Sequence, residues 1–569
     1  MSGLPPSDAL EGQPLNAEEK TVPSGIFASV AAKGLTFGEV AKASNQTAEE
    51  KPRLIFEERI KKEEHPLDSF YRIVRNATTN KAPDREETFR FKWNGLFYLA
   101  PTRDAFMARM RIPGGQLKTL QLREIAAVAT ELTTGYIQIT TRANLQIRLI
   151  EPKNAPEVLR RIQLTGLHTR GAGADNIRNL TSNPTAGIDA HELIDCTPHV
   201  RELARFIISS REFYDLPRKF NVAFNGGGLI GSVEDTNDLG VTAVRRNGGI
   251  FFRVAVGGAT GHKAFARDLG VIVPPDEIVE VMVALIRVYV ANGNRGDRKK
   301  ARLKHLLESW TLDQYLAAAE KLLGRDLVRS TAGTDDAEEV MPPIAHSHLG
   351  VFPQKQSGLH YVGVAVPVGQ LTSKQLHRVA DLADQHGSGE IRLTVWQNFI
   401  IPNIPTASLE TVKEELRRIG LHWKQSNVAG GVIACTGKKY CKFSLTETKG
   451  HALALIDHLE KRLELDVPVN IHVTGCPHSC AQHYMGDIGL LGTKGRDGCE
   501  AYHVCVGGGF GKNQAVGRQV FNAIPFEELK PLLEKILLVY LGNRTEGESF
   551  RAFTARHDLN ALQVAFCSE

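Results

Sequence analysis

The sequence is short of several things, and each shortage closes off a class of protein. It holds 8 cysteines in 569 residues, too few to staple a secreted disulfide scaffold. No apolar run approaches the roughly 18 residues of a membrane span, and mean hydropathy is −0.20, so a membrane protein is excluded. Charge of one sign is scarce as well: Lys plus Arg number 69 and Asp plus Glu 64, a net +5. A dedicated nucleic-acid binder would concentrate a basic excess, so no nucleic-acid partner is expected. The N-terminal stretch carries Asp8, Glu11, Glu18 and Glu19 and neither an arginine pair nor an apolar core. It reads as neither a secretory signal nor a transit peptide, and a cytoplasmic protein is expected. A dinucleotide fingerprint is missing too. Gly507, Gly508, Gly509 and Gly511 lack the G-x-G-x-x-G spacing between a strand and a helix, so no NAD or flavin domain is expected.

What is present is ordinary enzyme composition, 42% hydrophobic and 23% charged, in a chain long enough for several domains. Residues 1–60 read as a loosely packed N-terminal arm. Residues 331–343, running from Thr334-Asp335-Asp336 to Pro342-Pro343, read as a linker. The flanking halves, 61–330 and 344–569, repeat one another. PGGQLKTLQLREIAAVA from residue 113 aligns without a gap on PVGQLTSKQLHRVADLA from residue 367, at an offset of 254. Gly115 then falls on Gly369, Gly135 on Gly389, Asn144 on Asn398, and Gly166-Leu167-His168 on Gly420-Leu421-His422. A repeat of this length is a duplicated domain rather than a solenoid. An α/β (α+β) fold of two homologous halves is predicted, related by a pseudo-twofold axis, with a site between them.

Each half has the period changes of a ferredoxin-like unit, about 100–170 and about 355–425. In 106–112 the even positions are apolar, and Arg109 and Arg111 share the other face, as in a strand. Leu117, Leu120, Ile125, Val128 and Leu132 follow helical spacing. Ile137, Ile139, Leu145, Ile147 and Leu149 are odd-numbered, with Thr140, Arg142, Asn144, Gln146 and Arg148 between them. That alternation reads as a strand with one polar face. Alone it would be a solvated outer face; two neighbouring strands both presenting Arg suggest an anion platform.

The chemistry-bearing residues are four cysteines, Cys435-x5-Cys441 and Cys476-x3-Cys480. Two loops of paired thiols suit either an iron–sulfur cube or structural zinc. The first pair is too widely spaced for a zinc knuckle, which favours the cube.

With TGCPHSC followed by Asp487-Ile488-Gly489, this pattern resembles the sirohaem- and [4Fe–4S]-containing nitrite and sulfite reductase family. MARMRIPGG (107–115), TTRANLQIR (140–148), DNIRN (175–179), LPRKFN (216–221) and NRGDRKKARLK (294–304) follow in the family's order, over about residues 90–510. The resemblance implies that Cys435, Cys441, Cys476 and Cys480 hold a [4Fe–4S] cluster and that Cys480 also ligates the sirohaem iron. It implies sirohaem contacts from Arg142, Gln146, Arg148, Arg218, Arg298, Arg302 and Lys304. An exposed helix face or donor-docking patch is the other reading of the last three. It places Arg109, Arg178, Lys219 and Asn221 at the substrate anion. Sulfite-reducing members usually carry a second lysine where Asn221 stands, and some carry a cysteine near residue 173, where this chain has Gly171-Ala172-Gly173-Ala174. Both cues, together with Asp-Asn-Ile-Arg-Asn, favour six-electron reduction of nitrite to ammonium. The implied donor is a small acidic carrier, ferredoxin or flavodoxin, and a monomer is expected. Ferredoxin-dependent sulfite reduction is the near alternative. More distant ones are a corrin-biosynthetic oxygenase relative and a zinc-stabilised binding protein without redox activity.

Overall fold

The computed structural model describes residues 54–99, 104–330, 333, 346 and 348–567. Two five-stranded antiparallel sheets correspond to the two ferredoxin-like units, and each is completed by a strand from the other half. Strand Gln116–Lys118 pairs with Glu390–Leu393 of the second half, and Gln370–Thr372 pairs with Tyr136–Ile139 of the first. The two borrowed strands are counterparts under the 254-residue offset, so the exchange is reciprocal. Gly115 and Gly369 open these strands at φ +73 and +67. A Cβ at Gly115 would lie 2.5 Å from the Leu393 carbonyl oxygen, and one at Gly369 2.7 Å from that of Ile139. Only glycine lets the two halves approach so closely. Other contacts repeat at the same offset: Arg111 bridges His168, and Ala365 bridges His422. The interleaved units share one hydrophobic core, running from Phe106 and Ile125 to Leu376 and Phe399.

Each half continues into a larger mixed sheet with its own core. In the first, strands Ile177–Thr181, Phe220–Asn225 and Leu239–Arg246 run parallel before the sheet turns antiparallel. In the second, Val432–Ala434, Ile471–Thr474 and Ile488–Lys494 do the same. Parallel strands deliver their following loops to one edge, where α/β sheets build their sites.

Two sequence expectations are corrected. Residues 137–149 do not form one strand. Tyr136–Ile139 and Leu145–Ile150 form a hairpin, with Arg142 in the turn rather than on a strand face. A bulge against strand Phe106–Arg109 places Leu149 at φ 59 and sends Ile150, not Leu149, into the core. The arm ends earlier than residue 60. Helix Phe56–Glu63 packs inward with Ile60 fully buried, and Arg85–Phe91 joins it through Phe89 and Trp93. The rest of the arm, 1–53, and most of the linker lie outside the described residues. No helix among the described residues is long and apolar enough to cross a membrane.

Candidate active site

The four cysteines come from the loops after two adjacent parallel strands, Val432–Ala434 and Ile471–Thr474. Cys435 follows the first directly, and its amide donates to the Val473 carbonyl at 3.0 Å. Its sulfur accepts from the Gly475 amide at 3.3 Å and lies 3.6 Å from Thr448 Oγ1, at the start of helix Thr448–Glu460. Gly475 is required there, because a Cβ would sit 1.8 Å from Ser444 Oγ. Ser479 and Gln482 hold left-handed backbone on either side of Cys480, a strained geometry typical of functional loops. All eight cysteines are unpaired. Among the described residues no three His, Cys, Asp or Glu groups converge on a single-ion site. A cube, which takes one thiolate per iron, needs its four ligands held apart.

The first half presents its hairpin to these loops. Thr141 Oγ1 donates to the Cys480 carbonyl at 2.9 Å. Arg148 is fixed by Gln138 and Gln146 and reaches Thr436 Oγ1, beside Cys435, at 2.8 Å. Arg142 donates to Asn237 Oδ1. Asn179 receives the Ile112 amide and donates to the Arg142 carbonyl at 2.9 Å, locking the turn to strand Ile177–Thr181, which carries Arg178.

Arg109 lies over Phe97 at 4.5 Å, and its one guanidinium hydrogen bond among the described residues goes to the Ala172 carbonyl, at 3.4 Å. Arg178 donates to the Ala172 and Ala174 carbonyls at 2.6 and 2.7 Å, leaving its buried Nε unpartnered. Lys219 makes no hydrogen bond or ion pair among the described residues. Asn221 is anchored by its backbone amide on Asp238 at 2.8 Å, so its side-chain amide stays available. Burial, reinforced by Arg302 and opposed by Cys480, pushes the Lys219 ammonium down to about 7. Burial lowers Arg109 and Arg178 too, and the two repel each other through the same space. Cys480 is raised by burial and by Cys435, against the pull of Lys219 and Arg109. The Cys480 residue is solvent-exposed although protein surrounds its sulfur closely. Arg109, Arg142 and Lys219 each feel the Cys480 sulfur, so these cations stand in its neighbourhood.

The remaining sequence candidates are otherwise engaged. Arg302 forms a bidentate pair with buried Asp238 at 2.9 and 2.7 Å, which in turn fixes Asn221. Arg218 leans on Asp175 at 3.5 Å, and Lys304 pairs with Glu308 on its own helix at 2.9 Å. Arg111, grouped with Arg109 by its parity, spends its guanidinium on the carbonyls of Arg170, Gly171, Ile177 and Arg178. Of the two carboxylates that organise the site, Asp175 opens the DNIRN segment, whereas Asp238 belongs to none of the motifs and meets Asn221 from 17 positions away.

The family model of the nitrite and sulphite reductase 4Fe-4S domain matches residues 173–327 and 427–554. That of the nitrite/sulfite reductase ferredoxin-like half domain matches 99–164 and 352–419. The chain belongs to the nitrite and sulphite reductase family. Its duplicated units are the two half-domain matches, and its cysteine loops fall in the 4Fe-4S match. Among its relatives, the ferredoxin–nitrite reductase of Synechococcus elongatus is 38% identical, over 81% of this chain and 90% of that protein. The chloroplastic enzyme of that name from Zea mays is 34% identical, over 80% and 82%. A ferredoxin-type sulfite reductase from Mycolicibacterium paratuberculosis is also 34% identical, over 84% and 87%. The solved structure of the Mycobacterium tuberculosis NirA protein matches with a TM-score of 0.83 at 32% identity, over 89% of this chain and 97% of that one.

Proposed function

We propose that this family member is an assimilatory nitrite reductase, using six electrons from reduced ferredoxin to convert nitrite to ammonium. One observation carries the reading: Arg109, Arg142, Arg148, Arg178 and Lys219 gather about the cysteine loops, and none is in ion-pair contact with a carboxylate among the described residues. Cations crowded into a half-buried site with no carboxylate in contact are costly unless an anion lies between them. A polycarboxylate macrocycle and a small oxyanion meet that need, and the orphaned Arg178 Nε is a donor in waiting.

Cys435, Cys441, Cys476 and Cys480 would hold the [4Fe–4S] cluster, and Cys480 would share its sulfur with the sirohaem iron. When bound, these groups supply electrons singly and the iron at which the anion is reduced. Arg142 and Arg148, with Gln146, would meet the macrocycle's carboxylates. Arg109 and Arg178 hold the anion's oxygens by charge-assisted hydrogen bonds and stabilise charge as N–O bonds weaken. Lys219, poised near neutral pH, supplies protons to the departing oxygens. Eight protons and six electrons turn one nitrite into one ammonium and two waters, so a replenished donor is needed.

Asn221 supports nitrite over sulfite: it offers a neutral amide where a dianion would want another positive charge. A cytoplasmic monomer, with flavodoxin as the alternative donor, completes the reading. The test is a visible spectrum of protein produced with ample sirohaem, followed by paired nitrite and sulfite assays with reduced ferredoxin. Sirohaem bands and faster nitrite turnover are expected. Absence of the bands, or faster sulfite turnover, overturns it.

A further inference from the structure

Helix Phe56–Glu63, the first among the described residues, lies far in sequence from any substrate motif, yet it buries a charged residue against two of them. The Lys61 side chain is 1% exposed. Its ammonium donates to the Leu216 carbonyl at 2.8 Å and lies 2.5 Å from Glu58, 3.1 Å from Asp215 and 3.9 Å from Asp175. Leu216 opens the LPRKFN segment that carries Lys219, and Asp175 opens the DNIRN segment that carries Arg178. The two segments are joined to each other as well. The Leu216 amide donates to the Asp175 carbonyl at 3.2 Å, and the Phe220 amide to that of Asn176 at 3.1 Å.

The same helix reaches the second tier of the network. Arg298 grips the fully buried Asp175 carboxylate at 2.7 and 2.9 Å and is met by Glu57 at 3.2 Å. Arg295 joins Glu58 and Asp215, each at 2.9 Å. Surface ion pairs are worth little, and Asp215 is 48% exposed, but Lys61, Glu58 and Asp175 are buried, and moving one of these charges leaves the others unpaired.

We propose that Lys61 and Glu58 are positioning residues for the substrate anion: through Leu216 and Asp175 they fix the spacing between Arg178 and Lys219. This rests on the reading that those two residues bind nitrite. Neither Lys61 nor Glu58 touches the anion. They set where its two ligands stand, and displacement of a positioned group by about 1 Å costs up to ~100-fold.

The test uses the full-length holoenzyme with nitrite and viologen reduced by dithionite, which bypasses ferredoxin docking. Glu58→Gln/Lys61→Met removes one charge of each sign, so the net charge of the network is unchanged. Its KM for nitrite is expected to rise about tenfold or more, with sirohaem absorbance and melting temperature near wild type and kcat changed much less. Glu57→Gln, at a site 23% exposed, loosens only the Arg298 tether and is expected to raise KM about two- to fivefold without threatening the fold. Arg178→Gln is the control on the underlying reading. If it raises KM while both network variants keep the wild-type value, the positioning role is refuted. If Arg178→Gln itself leaves KM unchanged, the assignment of the anion site falls instead.

Discussion

Arg302 and Asp238 offer a direct test of whether charge pairing or mere packing holds the floor of the site. Asp238 is fully buried and Arg302 is 6% exposed. Their two hydrogen bonds, at 2.9 and 2.7 Å, are joined by a third from the Asn221 amide. Arg302→Met preserves much of the side-chain volume but strands the carboxylate, and breaking a buried pair on one side costs about 3–5 kcal/mol. Arg302→Met/Asp238→Asn removes both charges and keeps an acceptor for the Asn221 amide. It should cost about 1–2 kcal/mol, the scale of the lost hydrogen bonds. The assay is hydrogen exchange of peptides covering strand Phe220–Asn225 and helix Leu303–Ser309. The difference of about 1–4 kcal/mol, at about 1.4 kcal/mol per tenfold, means that the single variant should exchange there about fivefold to several hundredfold faster than the double. Equal exchange in the two variants would refute the claim that an unpaired carboxylate, not lost packing, is what destabilises this floor.

Three further outcomes are expected. Asn221→Lys adds a positive charge at the proposed anion site and should raise the ratio of sulfite to nitrite turnover about tenfold; an unchanged ratio in paired assays would remove Asn221 as the discriminator. Cys435→Ser or Cys476→Ser should lose iron and acid-labile sulfide together, whereas Cys499→Ser, at an exposed thiol, should retain both; metal and sulfide analysis decides. His472 is fully buried, and burial holds its pKa down at about 4. Its unfolded value is near 6.5, so the neutral ring's contribution is complete above that pH and is lost as pH falls from 6.5 toward 4, by about 3 kcal/mol. Melting temperature should therefore fall less steeply for His472→Gln over that interval, and parallel slopes would contradict the assignment.

The parts of the site visible in the sequence are those with a local signature. The repeat showed itself through a gapless offset, and the cysteine loops through their spacing. Other parts depend on partners that no local pattern encodes. Parity is blind to chain reversal: the five turn residues 140–144 keep odd and even in step, so a hairpin read as one strand. The borrowed strands are three residues each, and nothing in Gln116–Lys118 says that its partner lies 254 residues from its expected one. The cations posed the same difficulty. Arg111, Arg178, Arg302 and Lys304 are alike as letters. They differ in whether a carbonyl, a carboxylate or open space meets the side chain, and the Glu308 that engages Lys304 looks no different from any other helical i,i+4 partner.

The duplication explains why the site is lopsided. At the same offset, Arg109, Arg142, Arg148 and Arg178 fall on Gly363, Trp396, Pro402 and Val432, while Cys435 falls back on Thr181. One copy therefore supplies the cations and the other the thiols. Two symmetric cationic faces would bury twice the positive charge around a single anionic group, and the surplus would have no counter-ion. The second copy instead fills those positions with apolar side chains. Val395, Trp396 and Phe399 pack into the core shared with Ile137 and Leu145 of the first. The reciprocal strand exchange makes this division workable: each ferredoxin-like sheet is completed by the other half, and Thr141 and Arg148 of the cation-bearing hairpin then tie it to the cysteine loops through side-chain hydrogen bonds to Cys480 and Thr436. A single substitution at the hinge of that exchange, Gly115 or Gly369, would thus be felt at a site to which neither glycine contributes a side chain.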